Sequence, residues 1–301
     1  MRAFGNYILS GRLQAIGVIG FLSLFSLLIP PLAFLASGVP IGLVTLRKGG
    51  RQAIQVVMGS MLLVLALTFL LKIQPAFSLV FLLTIWLQVW LFALALRQTD
   101  SPVAMALSTA GIAAAFVCFM YVRIGDVEAW WRLLLTEMLA TGFAAASGEQ
   151  YQQAIEIVPP LMNAVVASSI VISLMLTVLI ARWWQAALFN PGGFGKEFQA
   201  FCLPKQLAVP TVIGVGLMFL GKQTFGPILR DLLVVIVVLY LFQGVASVHR
   251  TVKSRALSRN WLVGMYCLLA FLPQIMVIFI AWIGMTDSLL RVRTKAHDDN
   301  E

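Results

Sequence analysis

Residues 157–181 read IVPPLMNAVVASSIVISLMLTVLIA, and residues 182–198 continue RWWQAALFNPGGFGKEF. The first string holds no Asp, Glu, Lys, Arg or His. As a helix rising 1.5 Å per residue it crosses the roughly 30 Å of hydrocarbon in a bilayer. The second string opens with an arginine and two tryptophans, the residues that settle at headgroup depth. It then breaks at Asn190-Pro191-Gly192-Gly193, where proline stops a helix and glycine permits a reversal. An uncharged apolar run closed by a basic–aromatic anchor and a turn is a membrane span with its cytoplasmic elbow.

The same pattern recurs outward from this segment. Apolar runs cover about 13–36, 52–71, 75–96, 102–121, 206–221, 227–248 and 260–285, separated by Gly- and Pro-rich breaks. The composition agrees: 60% of the 301 residues are hydrophobic and only 11% charged, against about 25% charged in soluble domains. Eight or nine elements of about 20 residues absorb nearly all of the apolar residues. This excludes a soluble enzyme with one anchor, a disordered chain and a disulfide-stapled secreted domain. The fold class is all-α, a polytopic transmembrane helical bundle forming one integral membrane domain over 1–301. The run after Arg2 and Arg12 is longer than a signal-peptide core and lacks a good small-x-small site, so it reads as an uncleaved first span.

Charge sets the expected orientation. The net charge is +9, and the positive-inside rule explains it better than nucleic acid does, because no basic stretch is interleaved with exposed aromatics. Arg47, Lys48 and Arg51, then Arg97, then Arg182, Lys196 and Lys205, then Arg250, Lys253, Arg255 and Arg259 fall in alternate loops, which are placed in the cytoplasm. The loop at about 182–205 is one of these. The opposite side carries Asp126, Glu128, Glu137, Glu149 and Glu156 in a segment at about 122–156, read as an interfacial helix with Trp130 and Trp131 at headgroup depth. Eight simple spans leave both termini outside, yet Arg2, Arg12, Arg291, Arg293 and Lys295 prefer the inside. One repair is a helical hairpin at each end, broken at Pro30-Pro31 and at Pro273; re-entrant or broken helices buried by protein are the alternative, and the side of the termini stays open.

Candidate sites come from polar residues in apolar surroundings. Gln88, Asn163, Gln243 and Gln274 are candidate ligand-binding groups, although such side chains also serve as interhelical hydrogen-bond partners. Gln274 stands out because Pro273 frees a carbonyl in the preceding turn. Arg182, Trp183, Trp184, Asn190, Pro191, Gly192 and Gly193 form the interfacial elbow. Gly195-Lys196 invites a P-loop reading, which fails: Asn190 stands where the first glycine belongs and Glu197 where Ser or Thr belongs. Ala106, Ala110 and Ala114 lie four apart and form a helix-packing face that a neighbouring helix can approach closely. The span centres lack the ionisable groups that ion-coupled pumps need, Lys222, Arg230 and Asp231 being read as interfacial. No nucleophile is placed beside a base, so no catalytic residue and no enzyme is expected. Cys118, Cys202 and Cys267 have no metal or disulfide spacing, and neither a metal nor a cofactor is expected.

The elbow string resembles the YybS-like family, a domain of unknown function among bacterial inner-membrane proteins. Weaker matching pieces are Gly11-Arg12, Leu43-Val44-Thr45-Leu46-Arg47-Lys48-Gly49, Gln243-Gly244-Val245-Ala246-Ser247-Val248-His249, and Gly284-Met285-Thr286-Asp287 with Arg291 and Arg293. Phe201 departs from the pattern, which commonly has a basic residue there. At superfamily level the family is similar to the substrate-binding S components of energy-coupling-factor vitamin transporters, which bind a vitamin and rely on a partner ATPase complex. The resemblance implies a multi-pass protein of the bacterial inner membrane that binds or transports a small molecule, with the lipid bilayer and a membrane-protein or energising partner around it. The alternative is a non-transporting scaffold or regulatory subunit acting through its cytoplasmic loops.

Overall fold

The computed structural model describes residues 2–26, 33–72, 74, 76–142, 153, 155–220 and 226–298. Pro30-Pro31, Glu149 and Lys222 lie outside them. Among the described residues every regular element is helical. Six helices are long and apolar enough to cross a membrane, or up to eight if two bent pairs each count as one span. The chain divides into two compact units, Met1–Thr109 with Ile172–Ala200, and Ala110–Val171 with Phe201–Glu301.

In the first unit, α1 (Arg2–Ser10) is short and amphipathic, burying Gly5, Ile8 and Leu9 while Arg2 stays exposed. The chain turns through 118° at Gly11 into α2 (Arg12–Ser26). The helices α3 (Ala33–Lys48) and α4 (Gly50–Leu70) follow. Arg12, Lys48 and Gln52 line one small cavity, so α2 and α3 form an antiparallel hairpin whose two basic ends meet. The run at 13–36, read from sequence as one split span, is therefore the outgoing helix and the start of its return.

The helix α5 (Ala76–Phe81) passes through a π-turn at Leu82–Trp86 into α6 (Leu87–Thr99). The wider turn seats Trp86, which is fully buried and donates its indole N–H to Ser37 Oγ at 3.2 Å. At the far end of α6, the Arg97 guanidinium donates to the Thr45 and Leu46 carbonyls at 3.3 and 2.9 Å. A cation there complements the negative end of the α3 dipole, where the Gly49 N–H also donates to the Thr45 carbonyl at 3.0 Å and Gln185 Nε2 to the Leu46 carbonyl at 3.3 Å. The loop arginine is thus a helix cap as well as a topological signal.

The chain leaves the first unit within α7 (Pro102–Ile124) and returns to it within α9 (Pro159–Phe189). The last turns of α9 and the short α10 (Gly193–Ala200) complete it. Most of the segment read as a cytoplasmic loop at 182–205 is consequently helical. Its one tight reversal is at Gly192, whose φ of 86° disfavours any side chain. Gly193 does not need a positive φ; it opens α10 and donates its N–H to the Asn190 carbonyl at 3.0 Å.

The second unit contains the end of α7, α8 (Val127–Gly142), the start of α9, α11 (Ala208–Leu220), α12 (Gly226–Ser254), α13 (Asn260–Phe271) and α14 (Pro273–Asp298). On α8, Trp131 is only 8% exposed and packs with Met120 and Val127, whereas Trp130 is 38% exposed. One ring is part of the core and the other lies at its rim. On α7 the buried positions are Met105, Ala106, Thr109, Ala113, Val117 and Met120, while Ala110 and Ala114 are half-buried. The buried stripe follows helical periodicity and only partly overlaps the alanine ladder.

The tightest pairing joins α12 and α14. A Cβ on Gly244 would overlap the Ile280 carbonyl oxygen, and one on Gly284 would overlap the Tyr240 carbonyl oxygen. Backbones approach this closely only where both helices carry glycine. Asp287 reaches both Gln243 and Arg250, so α14 runs parallel to α12. The intervening α13 runs back and ends at Leu272-Pro273, which closes a hairpin at the proline expected to split the last run.

Candidate functional site

Three helix ends converge in the second unit. The last turn of α7 supplies Tyr121, the first turns of α9 supply Pro160 and Asn163, and the first turns of α12 supply Arg230 and Asp231. Pro159 and Pro227 occupy the starts of α9 and α12, where a missing N–H leaves no helical bond unmade. Asp231 is fully buried. Its Oδ2 accepts from the Tyr121 hydroxyl and from Asn163 Nδ2, each at 2.9 Å. Its Oδ1 accepts from Arg230 Nε at 3.1 Å and Nη2 at 2.9 Å. Arg230 also donates to the Pro160 carbonyl. A buried carboxylate is tolerated only when paired and hydrogen-bonded, and here three helices supply what it needs.

Arg230 and Asp231, read from sequence as interfacial, are thus part of a packed cluster. The helix α12 begins at Gly226, so both lie within it, and the surrounding helices remove Asp231 from solvent. The sequence signal was available: an adjacent Arg-Asp pair just after Gly226-Pro227 at the head of an apolar run. Its burial was not legible, because the covering residues come from α7 and α9.

Tyr121, Asp126, Glu128, Asn163 and Arg230 line a cavity of about 290 Å³ at this end of the unit. Asn163 is 1% exposed, and its Nδ2 is committed to Asp231. Its Oδ1 has no hydrogen-bond partner among the described residues. The Asp231 hydrogen bond fixes which way the carboxamide points. At the rim, Asp126 Oδ1 accepts from the Ala129 N–H at 2.9 Å and caps α8, while Glu128 pairs with Arg132 at 2.6 Å.

The other sequence candidates do not join this site. Gln243 is fully buried lower on α12, accepting from the Leu203 N–H at 3.0 Å and donating to Asp287 Oδ2 at 3.2 Å. Arg250 donates to Asp287, and Ser288 donates to the Leu203 carbonyl at 2.9 Å. These groups clasp α12, α14 and the Leu203 backbone to one another. They also bring together two motifs that are far apart in sequence, Gln243-Gly244 and Gly284-Asp287. Gln274 is exposed on α14. Gln88 belongs to the first unit and is half-buried. Of the four, Asn163 alone lines this cavity.

In the elbow, Arg182 is held by side chains of the protein. Its Nε and Nη2 hold the Glu197 carboxylate at 2.8 and 2.7 Å, and Nη1 donates to Gln185 Oε1 at 2.6 Å. Trp184 is buried and stacks on Phe4 with ring centroids 5.8 Å apart, and Trp183 is 40% exposed. The adjacent tryptophans therefore divide between packing and surroundings, as their spacing on a helix predicts. Among the described residues no three His, Cys, Asp or Glu side chains lie close enough to hold a metal.

A family model described as "Predicted membrane protein (DUF2232)" matches residues 17–288. The chain belongs to this family of membrane proteins, which agrees with the resemblance carried by its tryptophan–proline–glycine string. No curated protein and no solved structure matches it.

Proposed function

We propose that this member of the predicted membrane protein family is the small-molecule binding subunit of a transport system, similar in kind to energy-coupling-factor S components and without catalytic activity of its own. The carrying observation is the cavity of about 290 Å³ where the ends of α7, α9 and α12 converge, framed by the hydrogen-bonded cluster of Tyr121, Asn163, Arg230 and the buried Asp231. The paired charges around Asp231 supply a rigid frame and no free proton carrier, which suits a receptor energised by another subunit.

In this reading the cavity end of the second unit faces outward and the basic ends face the cytoplasm of a bacterial inner membrane, where an energising partner docks. Native mass spectrometry of protein gently extracted from its source membrane tests the reading. The expected result is a co-purified small molecule that disappears with Asn163→Leu, together with partner subunits. Recovery of partner subunits around a ligand-free wild-type protein would overturn it in favour of a scaffold.

A further inference from the structure

We propose that the groove between α12, α13 and α14 holds the acyl chains of an anionic phospholipid, and that the basic loop at 253–259 receives its phosphate. The site is separate from the Asp231 cavity and does not depend on the binding-subunit reading. The groove has a volume of about 650 Å³. Its walls include Val248 and Val252 from α12, Trp261 and Leu268 from α13, and Phe279 and Ile283 from α14. The helices α12 and α14 touch backbone to backbone, whereas α13 buries only Met265. The groove is the space that α13 leaves beside that pair.

Depth and charge identify the occupant. Lys253, Arg255 and Arg259 are exposed, and cations without partners stay out of hydrocarbon. The loop that carries them therefore lies at the membrane surface, and Leu257, Ser258 and Asn260 of the same stretch line the groove. From Asn260 to Leu268 the helix α13 descends about 12 Å, close to the roughly 15 Å of one leaflet's hydrocarbon. A partner's transmembrane helix crosses both leaflets and packs best against small residues. This trough reaches through one leaflet, and large side chains form most of its wall. Between residues 249 and 290 the one carboxylate is Asp287, which is taken by Arg250 and Gln243. Among the described residues no ion pair forms at Lys253, Arg255 or Arg259. Three unmatched cations at the end of an apolar trough are complementary to an amphiphile with a negative head. Near a membrane surface each contributes about fivefold in affinity for anionic lipid.

The full chain in detergent micelles is titrated with dioleoylphosphatidylglycerol or dioleoylphosphatidylcholine, and bound lipid is read by native mass spectrometry. The two lipids share their chains and differ in net charge. The expected result is one saturable phosphatidylglycerol site, preferred over phosphatidylcholine by on the order of 100-fold, which Arg255→Gln with Arg259→Gln cuts to about fivefold. Arg51→Gln with Lys196→Gln removes the same charge from exposed positions of the first unit and should leave the preference intact. Gly264 lines the groove, and a Cβ there meets nothing within 4 Å. Gly264→Leu should therefore keep its Tm in lipid-free detergent and lose the saturable site. Trp261→Ala, at a position 67% exposed, removes part of the wall without touching the core and should weaken binding as well. Lipid held here survives Asn163→Leu, which separates it from a ligand of the Asp231 cavity. Equal retention of the two lipids by the wild type, or an equal fall in preference when Arg51 and Lys196 are replaced, would overturn the anionic site. Unchanged phosphatidylglycerol binding in both Gly264→Leu and Trp261→Ala would remove the groove as the seat of the chains. A wild type that binds neither lipid and forms a dimer abolished by Gly264→Leu would replace the lipid with a second copy of the chain.

Discussion

Arg230 and Asp231 differ in what their removal leaves behind. Arg230→Ala strands the fully buried Asp231 carboxylate with only Tyr121 and Asn163 as donors. Breaking one partner of a buried ion pair typically destabilises by 3–5 kcal/mol. The guanidinium here is 26% exposed, so about 2–3 kcal/mol is expected after allowance for solvent screening. Arg230→Met combined with Asp231→Leu removes both charges and should recover most of that loss in a detergent unfolding titration. An equal loss in the single and double variants would show that packing, and not the stranded charge, governs the site. Gly192 makes a separate demand. Its φ of 86° predicts that Gly192→Ala lowers stability by about 1–2 kcal/mol, while Lys196→Gln, at an exposed position, leaves the melting temperature unchanged. Asn163 was legible in the sequence as a polar group in an apolar run. Its role was not, because the Asp231 partner is 68 positions away and no local pattern encodes that pairing.

Helices were legible wherever apolar length was decisive, and less so where tertiary contacts override local signals. Arg182-Trp183-Trp184 reads as a span end, yet α9 continues to Phe189 because Trp184 buries against Phe4 and Arg182 is neutralised by Glu197. Pro273 correctly marks the turn of the terminal hairpin, since proline both lacks a donor and restricts the residue before it. The α12–α14 contact was quoted from sequence as two separate family motifs, and only the fold makes them one interface. At that interface Gly284→Leu must push a side chain into the Tyr240 carbonyl. Overpacking typically costs 1–3 kcal/mol, and a backbone obstacle cannot rotate away, so a loss at the upper end, about 3 kcal/mol, is expected by thermal unfolding. The same substitution at Gly216, where nothing lies within 4 Å, should be tolerated, and equal losses would remove the close-approach argument.

At the scale of the molecule, the charge pattern and the two hairpins now agree. Arg12 and Lys48 share one end of the first unit, and Arg250 caps the clasp near the end of α12 in the second. The proposed orientation, argued from the positive-inside rule, has a direct test. In a background lacking Cys118, Cys202 and Cys267, a cysteine at exposed Ser10 or Ser254 should resist an impermeant thiol reagent added to intact cells, whereas one at Ser147, which lies outside the described residues, should react. Labelling at Ser254 but not Ser147 would invert the topology.

The glycine contact between α12 and α14 also has a mechanical meaning. Two parallel helices touching backbone to backbone, and latched again through Asp287, behave as one stiff beam, because neither can slide without driving carbonyl oxygens into the other's axis. The Arg230–Asp231 wall stands on that beam. The opposite wall hangs on α8, which joins α7 through Gly125 with φ at 76° and no atom within 4 Å of where a Cβ would sit. The Asp231 side of the site therefore shares the stiffness of that pair, and the α7–α8 corner has none of its backbone locking.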